Sequence, residues 1–201
     1  MGRLDIKFFI SQKNTTVGDI EGNFETLKKS FKIAISKKCD FFITPELSLT
    51  GYPAQDLLLR KDFIEKINIF KKKIIDLTKK NRTIFALSIP TLSNESIYNS
   101  LLLIQSGKII YSIQKNELPN YGVFDERRYF KSANQSKNCF VYKKKKIQFL
   151  ICEDMWTDNF LKNKSNVKLD LIVVINASPF EIGKFYSRKS LAKKRVHYFE
   201  S

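Results

Sequence analysis

The sequence predicts an α/β fold of layered sheets covered by helices, on three observations. Apolar runs of strand length recur along the chain, and helical stripes with three-and-four spacing fall between some of them. At least one pair of strand-like runs is joined by a tight Ser-Gly turn. Helices between strands favour parallel pairing, whereas the turn demands an antiparallel hairpin. A mixed, layered sandwich therefore fits better than a purely parallel doubly wound sheet. No internal repeat or linker interrupts the pattern, and 201 residues suffice for one self-supporting core.

Leu4 to Ile10 is the first expected strand, and Phe24, Leu27, Phe31, Ala34 and Ile35 then mark a core-facing helix after Asp19. Phe41 to Thr44 is a short buried strand. Pro45 stops it and delivers Glu46 into a loop containing Thr50, Gly51 and Pro53. A second amphipathic helix starts near Asp62, with Phe63, Ile67, Phe70, Ile74 and Leu77 on one stripe. Thr83 to Ile89 is another strand. Tyr98 to Gln105 and Lys108 to Gln114 form a hairpin through Ser106-Gly107, and Lys115 emerges at its end. A polar, aromatic-rich loop covers Asn116 to Asn138. Phe140 to Tyr142 pairs with Ile147 to Ile151 around the tetralysine Lys143 to Lys146, expected as a solvated turn. Cys152 follows directly, and Glu153-Asp154-Met155-Trp156 makes a first helical turn with carboxylates where the helix dipole favours them. Leu169 to Ile175 is the last strong strand, ending at Asn176-Ala177-Ser178-Pro179, and Ser187 to Ser201 reads as an amphipathic helix.

The formal net charge of +16 is the electrostatic footprint of a phosphate binder. Only seven of the 36 basic residues are arginine, however, and the lysines are spread along the whole chain. That is a solvated surface, and no specific nucleic acid is expected as a partner. The three cysteines, Cys39, Cys139 and Cys152, are odd in number and never spaced as CxxC, which excludes a zinc knuckle and a secreted disulfide framework. A reducing cytoplasm is the expected setting, with no signal peptide, membrane helix or bound metal.

Glu46, Lys115 and Cys152 each lie just past the end of an apolar strand, where a sheet presents reactive groups to a common crevice. A nucleophilic cysteine is expected to have a depressed pKa and needs a base for its proton. His197, the only histidine, stands four residues from the chain end and is expected to be structural or solvent-exposed. A glutamate must then move the proton, and Glu46 is placed for it. Cys39 and Cys139 have no thiolate-stabilising neighbours and are expected to be inert.

Thr44-Pro45-Glu46-Leu47, the run Lys115-Asn116-Glu117-Leu118-Pro119-Asn120-Tyr121, and Cys152-Glu153-Asp154-Met155-Trp156 together resemble the carbon–nitrogen hydrolases of the nitrilase superfamily. Their Glu-Lys-Cys triad appears in the expected order. Gly51-Tyr52-Pro53-Ala54-Gln55-Asp56-Leu57-Leu58, the block from Leu118 to Phe130, and Asn176-Ala177-Ser178-Pro179-Phe180 narrow the likeness to the glutaminase domains of glutamine-dependent NAD synthetases. The resemblance runs from Leu4 onward and implies an α-β-β-α sandwich, incomplete at its C-terminal end. Residues 1–201 are thus expected to be a truncated glutaminase domain, without the ATP-dependent synthetase domain that normally follows.

The resemblance implies glutamine as substrate and catalytic roles for Glu46, Lys115 and Cys152. Glu126 corresponds to a supporting glutamate that orients the lysine, and Tyr121, Glu153 and Ser178 correspond to the glutamine pocket. No cofactor is implied for this chain, since ATP and magnesium belong with the synthetase domain. A separate synthetase chain and a homo-oligomer are the implied partners. An inactive remnant and a free-standing amidase of the same superfamily are the alternatives.

Overall fold

The computed structural model describes residues 5–133, 139–158 and 168–200. Leu4, the loop residues 134–138 and Ser201, all included in expected elements, lie outside the described residues. The chain runs β1 (Phe8–Ile10), α1 (Ile20–Ser36), β2 (Phe41–Ile43), α2 (Lys61–Leu77), β3 (Ile84–Ser93), β4 (Ser96–Gln105), β5 (Lys108–Gln114), β6 (Phe140–Tyr142), β7 (Lys145–Ile151), β8 (Leu171–Ile175) and α3 (Lys184–Glu200). Short 3-10 turns occupy Gln55–Leu59, Glu126–Arg128 and Cys152–Met155.

Two sheets result: a five-stranded one in the order β1-β2-β3-β4-β5 and a three-stranded one in the order β6-β7-β8. β1, β2 and β3 are parallel, β3-β4-β5 is an antiparallel meander, and β7 pairs in parallel with β8. The period-two alternation of the strands sorts their side chains into two cores. Phe42, Phe85, Leu87, Leu102 and Ile104 pack with Phe24, Leu27, Phe31, Phe63, Ile67 and Phe70 of α1 and α2. On the opposite face Phe41, Ile43, Ile84, Ala86, Leu101 and Leu103 meet Ile147, Phe149, Ile151 and Ile175 of the smaller sheet. Phe41 joins the sheets, its ring lying 5.0 Å from Tyr142, 6.2 Å from Phe149 and 6.4 Å from Phe140. Truncating such a side chain to alanine typically costs about 3–5 kcal/mol. The helix, sheet and sheet layers of the expected α-β-β-α sandwich are present.

α1 starts where Asp19 accepts the Gly22 N–H through its side chain at 2.9 Å, a cap that satisfies one orphan donor of the first turn. Both helical stripes read from the sequence face the core. The strands differ in extent. β3 runs four residues past Ile89 to Ser93 and turns straight into β4 through Asn94-Glu95, both at positive φ (46° and 61°), a hairpin that carries no glycine signal. The tetralysine is only half turn: Lys143 and Lys144 form it at φ 47° and 62°, whereas Lys145 and Lys146 already belong to β7.

α3 corrects the sequence reading. It begins at Lys184, and among its described side chains the inward stripe is Lys184, Arg188, Leu191, Ala192 and Arg195 instead of an apolar row. Arg195 is the buried member, donating to the Met155 and Thr157 carbonyls at 2.9 and 3.0 Å and pairing with Asp158 at 2.9 Å. The helix is pinned by one guanidinium fork. His197 is exposed, as expected.

Candidate active site

Glu46 follows β2, and its neighbours are bolted to β3. Thr44 Oγ1 donates to the Ala86 carbonyl and the Leu47 N–H to Ser88 Oγ, both at 2.9 Å. Lys115 follows β5, where its own N–H extends the β4–β5 ladder by donating to the Asn99 carbonyl at 2.8 Å. Cys152 follows β7 and opens a 3-10 turn with φ at +45°, a left-handed conformation that costs a non-glycine residue about 1–2 kcal/mol. Strand ends of both sheets thus supply the three side chains.

Lys115 Nζ lies 2.8 Å from Glu46 Oε1 and 2.6 Å from Glu126 Oε1. Lys115 is 0 %, Glu46 2 % and Glu126 4 % exposed, so three formal charges share one dry site. Each Oε1 also takes a neutral donor: Asn99 Nδ2 on Glu46 and Tyr52 Oη on Glu126, both at 2.8 Å. Two consecutive residues after β8 connect this cluster to the sulfur. The Ala177 N–H donates to Glu46 Oε2 at 3.2 Å, and Ser178 Oγ lies 3.6 Å from Cys152 Sγ. Tyr121 Oη donates to both carboxylate oxygens of Glu153 at 3.1–3.2 Å on the exposed rim.

Burial pulls the Lys115 ammonium down, but Glu46 and Glu126 more than offset it and hold its pKa above the ordinary lysine value. Glu126 is pushed up to about 7, chiefly by burial, with Lys115 opposing. Cys152 is pushed up to about 12 by burial and then by the charge of Glu46, against the smaller pull of Lys115 and the Ser178 hydroxyl. This overturns the expectation of a depressed thiol pKa. The resting sulfur is a protonated thiol, because it is buried and faces a carboxylate as well as an ammonium. A base must therefore act when the substrate is bound.

The structure brings together Glu46, Lys115, Glu126, Cys152 and Ser178, and places Tyr121 against Glu153 at the rim. Cys39 is buried in the helix-side core, and Cys139 is half-buried. Sequence reasoning gave no role to Asn99, Tyr52 or Ala177. Asn99 had a signal, a polar residue inside an apolar strand, whereas a backbone N–H such as that of Ala177 has none. Among the described residues no group of three His, Cys, Asp or Glu side chains is arranged to hold a metal, and no helix is long and apolar enough to cross a membrane.

Residues 10–193 match the carbon-nitrogen hydrolase family. The chain belongs to that family. The carbon-nitrogen hydrolase chain is also similar to the glutamine-dependent NAD(+) synthetase of Aquifex aeolicus, at 36% identity over 93% of this chain and 33% of that protein. The Thermotoga maritima enzyme of the same name is 33% identical over 96% of the chain and 33% of its own length. Among solved structures, a glutamine-dependent NAD+ synthetase from Acinetobacter baumannii in complex with ADP superposes with a TM-score of 0.86 at 33% identity, over 96% of this chain and 36% of that one. An amidase from Nesterenkonia sp. shares the fold, with a TM-score of 0.78 at 17% identity over 90% of this chain and 68% of that one. The chain thus spans about a third of the length of the synthetases it matches.

Proposed function

We propose that this carbon-nitrogen hydrolase chain is a glutamine amidohydrolase, the part of a glutamine-dependent NAD synthetase that releases ammonia from glutamine. The observation that carries the reading is the buried Glu46–Lys115–Glu126 cluster, joined through Ala177 and Ser178 to Cys152. Similarity to the synthetases over more than nine tenths of the chain supports glutamine as the amide.

Glu46 takes the thiol proton as Cys152 Sγ attacks the side-chain amide carbon of glutamine. The carbonyl π pair moves onto oxygen. Lys115 spends two of its three N–H bonds on the carboxylates, and the third meets this oxyanion together with a backbone N–H of the turn starting at Cys152. As the tetrahedral species collapses, the C–N bond breaks and Glu46 returns the proton to the departing ammonia. Water, deprotonated by the same carboxylate, then cleaves the glutamyl thioester to glutamate and free thiol. Asn99 and Lys115 both occupy Glu46 Oε1, which leaves Oε2, engaged by the Ala177 N–H at a longer 3.2 Å, as the working oxygen. Glu126 orients Lys115, and Tyr121, Glu153 and Ser178 line the glutamine pocket. In the whole enzyme the ammonia amidates deamido-NAD at an ATP- and magnesium-dependent site outside these residues, in the cytoplasm.

The test is ammonia release by the parent chain and Cys152→Ala, with glutamine compared against simple aliphatic amides. Preference for glutamine, abolished in the variant, is expected. Undiminished release by Cys152→Ala overturns the assignment of the nucleophile, and a preference for simple amides makes the chain a general amidase.

A further inference from the structure

Asp154 is 2 % exposed, and its carboxylate has partners on two sides. Oδ2 accepts the N–H of Ile151, the last residue of β7 and the one before Cys152, at 3.1 Å. Oδ1 accepts the N–H groups of Asn116 and Glu117, the two residues after Lys115, each at 3.0 Å. Lys115 directly follows a strand of the five-stranded sheet, and Cys152 directly follows one of the three-stranded sheet. One buried carboxylate therefore spans the seam between the sheets at the level of the reacting groups.

The core of that seam is apolar; Tyr142 Oη to Asp40 Oδ1 and the Ala177 N–H to Glu46 Oε2 also cross it, but neither holds the backbone beside Lys115 or Cys152. Apolar packing is non-directional and accommodates small relative shifts of the sheets, whereas hydrogen bonds to a carboxylate are short and angle-dependent. The left-handed backbone of Cys152 persists only where its surroundings over-determine it, and the Ile151 bond acts one residue before it. We propose that Asp154 is a positioning residue: its carboxylate ties the backbone after Lys115 to the turn bearing Cys152, and so sets the distance between oxyanion donor and nucleophile. The kinetic part of this proposal rests on the amide-hydrolysing function above, and the structural part does not.

Asp154→Asn turns one acceptor into a donor facing a backbone N–H, while Asp154→Glu keeps the charge and lengthens the bridge by one methylene. A misplacement of about 1 Å costs on the order of 10²-fold in rate. For both variants the expected result is a kcat on glutamine reduced by about that factor with little change in KM, and a crystal structure in which Cys152 Sγ has moved away from Lys115 Nζ. Asp170→Asn is the control, because Asp170 also accepts a backbone N–H, that of Lys146 at 2.9 Å, but within the smaller sheet. It should leave kcat unchanged. If Asp154→Asn does not fold, Asp154→Glu is read alone. A folded Asp154 variant with unmoved Cys152 and parental kcat overturns the proposal. A parent chain that hydrolyses no amide, combined with a displaced Cys152 in the variants, overturns the proposed function but leaves the structural tie standing.

Discussion

Lys115 Nζ stands 2.8 Å from Oε1 of Glu46 across 69 residues of chain, and both side chains are sealed from solvent. Burying an ammonium and a carboxylate is costly, and their attraction offsets the desolvation only where further hydrogen bonds complete both groups. Glu126, Asn99, Tyr52 and the Ala177 N–H supply those bonds. By this reckoning the cluster contributes little net stability.

Lys115→Met leaves two buried carboxylates facing each other without their cation. Breaking a buried pair in this way costs about 3–5 kcal/mol. Loss of one oxyanion donor should lower amide hydrolysis by about 10²-fold or more. Urea unfolding and ammonia release measured on the same sample check both.

Glu46→Gln separates reactivity of the sulfur from catalysis. The charge of Glu46 raises the Cys152 pKa, so its removal lowers that pKa and increases the thiolate fraction at pH 8. Alkylation of Cys152 by iodoacetamide, followed by peptide mapping, should accelerate. Hydrolysis of glutamine should fall by about 10²-fold or more, since no base remains to carry the proton.

Glu126 gives a pH signature of unusual sign. Its folded pKa, pushed up to about 7, lies above the ordinary glutamate value of 4.5, so between these limits the folded chain binds more protons than the unfolded one. This group's contribution to stability is therefore present below about pH 4.5 and is lost as pH rises through about 7. Glu126→Gln should remove that decline, seen as a flatter dependence of the unfolding midpoint on pH between 5 and 8. An equally steep decline in the variant would refute the assignment.

Gly51 is required by both its backbone and its neighbours. Its φ is +74°, and a Cβ there would meet the Cα of Val17 at 2.6 Å and its nitrogen at 2.8 Å. Gly51→Ala should lower stability by more than about 1 kcal/mol and reduce hydrolysis by displacing Tyr52 from Glu126. Thermal unfolding and the rate on glutamine measure the two effects.

The layering was legible because burial writes itself into period. Phe41 and Ile43 alternate with Phe42, and the stripes of α1 and α2 repeat at helical spacing. That Glu46, Lys115 and Cys152 share one end of the sandwich was legible because each lies within a few residues of a strand end. The Asn94-Glu95 turn was not, since Glu95 takes a positive φ where a glycine would have marked the hairpin. Among the described side chains of α3 the expected apolar face gives way to a buried arginine, and no hydrophobic period records a guanidinium fork. The thiol pKa was misjudged for a related reason: the sequence puts a lysine, a helical turn and Glu46 near the sulfur, but only the fold shows how deeply the thiol is buried beside that carboxylate.

The central claim is that Cys152 carries the glutamyl group during turnover. Rapid acid quenching of the chain in the presence of glutamine, followed by mass spectrometry, tests it most directly. The account predicts one glutamyl acyl group on Cys152 that is absent from Cys152→Ala. Sustained ammonia release with Cys152 unmodified, or acyl label found only on other residues, would contradict it.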